Sequence, residues 1–422
     1  MSAEYEPLTI DTLSQRLGKL STLKARLGDD PALWTVQEVG DGNLNLVFIV
    51  QGPKGGAVVK QALPYVRLVG DSWPLPLKRA FFEYHALTRQ AIRAPGDVPE
   101  IYHFDEIQAL IIMEFLTPHV ILRHSLKAGK RHEGLGETMG LFCARTLFRG
   151  SDMSMETAKR KSDLALFADN VALCDITENL VFDDPYFDAK MNRHTTPQLD
   201  GLVAQLRADV DLKVAAQHLK AAFCNNAETM LHGDLHTGSI MVNADETKVI
   251  DPEFAIYGPI GFDVGMLIGN FLMAYFAQPG HAQAPGSRDA YGDWILETTI
   301  KIWATFETEF SALWRKERTG ILYSARLFED QGHTLAAEQA LADRLNDIWA
   351  HTLGFAGIEM HRRILGLAHI MEFDTIEDEH LRASCEAKAL RLGRMLAVNR
   401  HVLRDMNEVC SLAKLMEQEN AT

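Results

Sequence analysis

The sequence predicts an α+β fold of two lobes, a small antiparallel β-sheet lobe carrying N-terminal helices and a larger, mostly helical lobe. Three observations carry that expectation. With 422 residues, the chain exceeds what one hydrophobic core ordinarily organises, so two units are expected. Short runs of β-forming apolar residues are concentrated between positions 44 and 115. From about position 118 onward, apolar residues recur at helical spacing over most of the chain. The boundary falls at the LTPHV stretch and divides the chain into 1–116 and 117–422.

Residues 8–37 open with the helical patterns LTIDTLSQRL and KLSTLKARL, with a start at Thr9 or Asp11 and a stop near Gly28. The period then changes. Two β-rich runs, 44–51 and 56–61, flank a Gly-Pro-Lys-Gly turn and read as a hairpin. A Pro-rich connector, VRLVGDSWPLPLK, leads to a helix over 78–90 in which Phe81, Tyr84, Leu87 and Thr88 recur at helical spacing. Two more strands are expected at 100–104 and 109–115. The second lobe is helical, interrupted by the Asp- and Pro-rich stretch DITENLVFDDPYFDAKMNRHTTPQLD and by short β signals at 229–232, 239–242 and 248–250.

Composition narrows the function. Lys and Arg number 42 against 57 Asp and Glu, a formal net charge of -15 that argues against a general nucleic-acid binder, because phosphate backbones are repelled. The five cysteines are odd in number and without CxxC spacing, so they read as reduced thiols of a cytoplasmic protein. Early acids and no long apolar run at the start argue against a secretory signal. The most apolar region, 256–278, contains Gly258, Pro259, Gly261 and Asp263, which suits a buried helix better than a membrane span.

Chemistry-bearing residues stand at five places: a loop with Gly40 and Gly42, Lys60 on a strand, Glu83 on a helix, MLHGDLHTGSIMVN at 230–243, and Asp251-Pro252-Glu253. Phosphoryl transfer needs donors to phosphate oxygens, a cation that aligns the phosphates, carboxylates that hold Mg²⁺ and a carboxylate that orients the acceptor. The chain offers one candidate for each, in one order. Taken singly, each has a plainer reading. Asp234 alone is a turn acid, Lys60 a snorkelling surface lysine, Glu83 a solvated helix residue, Trp73 packing, and Arg362 with Arg363 an exposed helix face. The ordered set, not any member, lifts them above those readings.

In this order the residues resemble the protein-kinase-like superfamily, in the branch of aminoglycoside and choline kinases. There a catalytic loop beginning HRD or HGD precedes a metal-binding aspartate; here Asp234 and Asp251 are 251 − 234 = 17 positions apart. The runs HGDLHTGSI, DPEF, GFDVG, RRILGLAH and LCDITENLVF are similar, more closely, to the 5-methylthioribose kinase family over nearly the whole chain. That resemblance implies a bilobal protein-kinase-like fold, a homodimer, and ATP- and Mg²⁺-dependent phosphorylation of the anomeric hydroxyl of 5-methylthioribose in methionine salvage.

It also implies roles. Asp234 is the catalytic aspartate that receives the sugar hydroxyl's proton, and Asp251 with Glu253 is the metal pair. Asp41, Gly42, Asn43, Lys60, Glu83, Glu114 and Leu116 belong to the nucleotide site, and Arg362, Arg363, Trp73 and Pro74 to the sugar. Adjacent helical arginines project about 100° apart, so the pair is not expected to face one ligand equally. The loop VGDGNLNLVF departs from GxGxxG, and Ser239 stands where protein kinases carry a metal-binding asparagine, so Glu253 is expected to supply that ligand. His232 is expected to brace the loop and Asp263 to anchor it.

Other readings compete. His232, Asp234 and His236 form an HxDxH cluster of the kind a metal hydrolase uses, although Zn²⁺ needs a further ligand that the spacing of His361 and His369 does not supply. The same fold also serves aminoglycoside, choline and homoserine kinases; the paired arginines disfavour a cationic acceptor. A non-catalytic nucleotide binder would not need Asp234, Asp251 and Glu253 together.

Overall fold

The computed structural model describes residues 4–40, 44–66 and 70–418. Asp41, Gly42 and Asn43, expected over the phosphates, lie outside the described residues. Helices α1 (Ile10–Leu17) and α2 (Ser21–Leu27) come first and bury Leu13, Leu17, Leu23 and Leu27. Strand β1 (Thr35–Glu38) follows, inside the stretch that opened with a helical pattern. Four residues with one aliphatic side chain give no alternation to read, and β1 exists only because it pairs with β2 (Asn45–Gly52). β2 returns as β3 (Gly55–Ala62) around the expected turn.

β4 (Tyr65–Val66) pairs with β5 (Gly70–Pro74), so Trp73 and Pro74 end a short strand and not an open connector. Helix α3 (Arg79–Arg93) and strands β6 (Ile101–Asp105) and β7 (Leu110–Glu114) complete the lobe. The main sheet has the order β1-β2-β3-β7-β6 with antiparallel neighbours. Alternation divides its faces. Phe48, Val50, Ala57, Val59, Leu110 and Ile112 join the leucines of α1 and α2 in one apolar cluster. Val58, Lys60, Ile111 and Met113 fall on the opposite face, where Lys60 stands across from Ile111.

The second lobe starts with β8 (Val120–Ile121), α4 (Leu122–Lys127), α5 (Leu135–Arg149), α6 (Thr157–Phe167) and α7 (Val171–Leu180). α7 occupies the beginning of the stretch expected to interrupt the helices, because its prolines come only afterwards, at Pro185 and Pro197. After α8 (Asp200–Ala208) and α9 (Val210–Asn225) come β9 (Thr229–Met230), β10 (Ile240–Val242), β11 (Thr247–Val249) and β12 (Tyr257–Gly258). The sheet β11-β10-β8 and the pair β12-β9 frame two loops that carry the chemistry.

Helix α10 (Gly261–Phe276) is buried along its whole length, which explains the most apolar region of the sequence. Around it lie α11 (Asp289–Glu317), α12 (Thr334–Leu365), α13 (Met371–Asp374), α14 (Glu379–Val398) and α15 (Met406–Gln418). At Gly265 a Cβ would stand 2.6 Å from the Thr352 carbonyl oxygen, so glycine is what lets α12 approach α10 this closely. Among the described residues no helix is long and apolar enough to cross a membrane.

Candidate active site

The loop between β9 and β10 is held by its own polar groups. Asp263, in the first turn of α10, accepts the backbone N–H of His232 at 2.6 Å and of Gly233 at 3.0 Å. His232 Nε2 donates to the Ile250 carbonyl at 2.9 Å, tying this loop to the one bearing Asp251. Both residues therefore brace, as the sequence suggested. Gly233 has φ +86°, and a Cβ there would come within 2.1 Å of the Phe254 carbonyl oxygen, so no other residue fits. Ser239 is buried and donates its hydroxyl to the Asp234 carbonyl at 2.8 Å. It serves the loop's shape.

Asp234 projects from this loop toward the C-terminal turn of α12. Arg362 Nη2 and Arg363 Nη2 reach the same carboxylate oxygen, Oδ1, at 2.6 and 3.0 Å. The 100° projection argument fails here because both side chains are long and Glu359, one turn earlier, accepts the Nε of each and bends them together. On the other oxygen, Oδ2, His236 Nε2 stands at 3.2 Å. His236 Nδ1 accepts the Gly238 N–H at 2.8 Å, which leaves the ring proton on Nε2, facing Asp234.

Burial pushes the Asp234 carboxyl up, but His236, Arg363 and Arg362 outweigh it and hold the group well below the ordinary carboxylate range. Burial takes His236 down to about 4, so the ring is neutral at physiological pH. With both histidines of the HxDxH run engaged in the loop, that run assembles no metal cage. Among the described residues the group positioned to hold a metal ion is Glu83, Asp251 and Glu253, with ligand atoms within 4.8 Å of one another.

That second cluster joins the lobes. Lys60 Nζ lies 2.8 Å from Glu83 Oε2 and forms a close ion pair with Asp251. Burial alone would lower the Lys60 ammonium; Asp251, Glu83 and Glu253 raise it above its usual range. Asp251 is half exposed and adopts φ +69°, a left-handed conformation costly for a non-glycine residue and typical of functional loops.

Two residues that sequence reasoning missed complete this end. Arg79, fully buried, lies with Nε 3.5 Å from Glu253 Oε2 and donates from Nη2 to Asn45 Oδ1 at 3.0 Å. Asn45 Nδ2 in turn donates to Glu253 Oε2 at 3.1 Å. The available signal was the spacing of Arg79 and Glu83, four apart and so on one helix face. Three carboxylates face two cations, and burial raises both Glu83 and Glu253. An oxygen donor set with surplus negative charge suits a hard divalent cation.

The remaining candidates are more scattered. Glu114 ends β7, and its carboxylate accepts the Glu100 N–H at 3.1 Å; Leu116 is buried just beyond it. Trp73 is half-buried and packs, as do Leu44, Ile176 and Phe254, against the apolar cluster of Leu75 and Leu173, which brings the β-sheet lobe to α7 and the residue after Glu253. Pro74 is exposed.

Comparison with known proteins places the chain in a family. Residues 35–303 match the phosphotransferase enzyme family. Methylthioribose kinase of Escherichia coli O45:K1 is 44% identical over 97% of this chain and 98% of its own. Methylthioribose kinase 1 of Oryza sativa subsp. japonica is 43% identical over 96% of this chain and 94% of its own. Methylthioribose kinase of Geobacillus thermodenitrificans is 42% identical over 94% of each chain. Identity of this degree along nearly the full length of both partners shows that the chain belongs to the methylthioribose kinase family of phosphotransferases.

Proposed function

We propose that the protein transfers the γ-phosphoryl group of ATP to the anomeric hydroxyl of 5-methylthioribose, giving 5-methylthioribose 1-phosphate for methionine salvage. The observation that carries this is the state of Asp234, an ionised and immobilised carboxylate beside paired arginines. A carboxylate has about four acceptor positions. Arg362, Arg363 and His236 fill three, which leaves one on Oδ2 for a sugar hydroxyl. So acidic a group is a weak base. A loose phosphoryl-transfer transition state tolerates this, because the hydroxyl's proton moves late and orientation matters more than basicity.

Arg362 and Arg363 keep Asp234 anionic and offer their outer N–H groups to sugar oxygens. Lys60, steadied by Glu83, aligns the α- and β-phosphates. Asp251 and Glu253 are the residues that would hold Mg²⁺, which when bound offsets the charge of the phosphates. The faces of Trp73 and Phe254 suit the apolar methylthio end. The family resemblance further supports a cytoplasmic homodimer, and sedimentation at the mass of a single chain would overturn the dimer.

ADP release, followed in a coupled assay with methylthioribose, ribose, choline, homoserine and an aminoglycoside, tests the assignment. Turnover is expected with methylthioribose. Turnover with another acceptor and none with methylthioribose would end it.

A further inference from the structure

We infer that Glu359 is a positioning residue of the phosphoryl transfer, a buried acceptor that aims Arg362 and Arg363 at one oxygen of Asp234 and links them, through Asn270 and Arg123, to the histidine on the other oxygen. The inference rests on the proposed function, in which Asp234 receives the sugar hydroxyl.

Glu359 is fully buried and pairs with the Nε groups of Arg362 and Arg363, whose Nη2 groups reach Asp234. It accepts Arg363 Nε at 2.7 Å on Oε1, Arg362 Nε on Oε2, and Asn270 Nδ2 at 2.8 Å on Oε1. An ionised carboxylate can only accept, so it dictates which way the Asn270 amide points. The two Asn270 Nδ2 hydrogens go to Glu359 and, at 3.0 Å, to the Met266 carbonyl. Asn270 Oδ1 is thereby turned toward Arg123 Nη2, at 3.3 Å. That same Nη2 stands 3.4 Å from His236 Nδ1, and His236 Nε2 is 3.2 Å from Asp234 Oδ2.

The chain of contacts closes on itself. Starting from Asp234 Oδ1 it runs through the arginines, Glu359, Asn270, Arg123 and His236, and returns at Asp234 Oδ2. Four separate segments contribute: α4, the loop after β9, α10 and α12. Charge balances too, since Arg123, Arg362 and Arg363 face Asp234, Glu359 and Glu372, the last 3.1 Å from Arg123 Nε. Without Glu359 both arginines would crowd one carboxylate, without the buried acceptor that takes their Nε groups.

Glu359→Gln preserves size and shape but replaces one acceptor with a donor. In ¹⁵N-arginine-labelled protein, the Nε–H signals of Arg362 and Arg363, assigned with R362K and R363K, are expected to be protected from solvent exchange. E359Q should speed that exchange about ten-fold, lower kcat about 100-fold and leave KM for ATP within about two-fold. A purely structural Glu359 predicts lost protection with kcat within about three-fold of the parent, and that result overturns the inference. Unchanged protection overturns it as well. Should E359Q fail to fold, Asn270→Ala cuts the same tie: kcat is expected to fall five- to ten-fold, roughly, at constant KM for ATP, and a change under about two-fold overturns the inference. Parent enzyme inactive on methylthioribose but active on another acceptor defeats the substrate assignment alone; the exchange experiment stands, and kcat is then compared on the acceptor used.

Discussion

Asp234 keeps its charge because two guanidiniums and a neutral imidazole donate to it, and that arrangement separates two consequences of changing it. Asp234→Asn removes the acceptor for the hydroxyl's proton and frees the arginines, so kcat is expected to fall by about three orders of magnitude or more. ATP binding, measured by calorimetry, should persist, since Asp234 makes its contacts with Arg362 and Arg363, the residues proposed for the sugar. Retention of most activity would show that Asp234 is not the acceptor. Lys60→Met acts at the proposed nucleotide site. It leaves Glu83 and Asp251 without their shared cation, and KM for ATP is expected to rise ten-fold or more, roughly, with a smaller change in KM for the sugar.

At the scale of elements, two glycines decide where the side chains proposed for catalysis stand. The loop after β9 turns at Gly233 in a left-handed conformation against the Phe254 carbonyl, so Gly233→Ala is expected to abolish turnover by displacing both Asp234 and the Asp251 loop. Gly265 sets how closely α12 lies on α10. Gly265→Ala forces the helices apart at Thr352, costing about 1–3 kcal/mol and lowering Tm. Because α12 carries Glu359, Arg362 and Arg363 within the next three turns, the same change should raise KM for the sugar, whereas a surface glycine change such as Gly201→Ala should do neither. The strand β3 works by a simpler rule: alternation turns Val59 toward the α1–α2 leucines and Lys60 to the opposite face.

For the whole molecule, polar contacts join the two lobes, and histidines buried in the large lobe shape the response to acid. Asn45 and Arg79 meet Glu253, and Lys60 meets Asp251, so polar and charged groups join the lobes at the proposed nucleotide site. His236 and His361 are both held at about 4, first by burial, against 6.5 when free. His361 donates from Nε2 to the Leu390 carbonyl and pairs through Nδ1 with the Tyr186 hydroxyl, in an interior where burial disfavours the charge of a second proton. Between pH 6.5 and 4 the unfolded chain binds protons at these rings that the folded chain refuses, so stability falls as pH falls through that window. Each ring contributes on the order of a few kcal/mol at most. Calorimetric Tm is expected to drop steadily from pH 7 to 5; a flat Tm over that range would contradict it.

Local pattern alone determined much of this protein. The turn between β2 and β3, the strand that carries Lys60, the helix that carries Glu83, and the loops holding Asp234, Asp251 and Glu253 follow from spacings of a few residues, which physics reads directly as alternation, helical period and turn chemistry. Strands β1 and β5 were not legible, since each is too short to show a period and exists by pairing with a neighbour. Tertiary structure alone decided how charges are shared. Asn45 and Glu253 are 208 positions apart, Arg123 and Glu372 are 249 apart, and Arg362 and Arg363 converge on one oxygen only because Glu359 and Asn270 stand behind them. Such contacts join segments with no common period, and a buried ion finds its partner by proximity in the folded chain, which a linear pattern does not record.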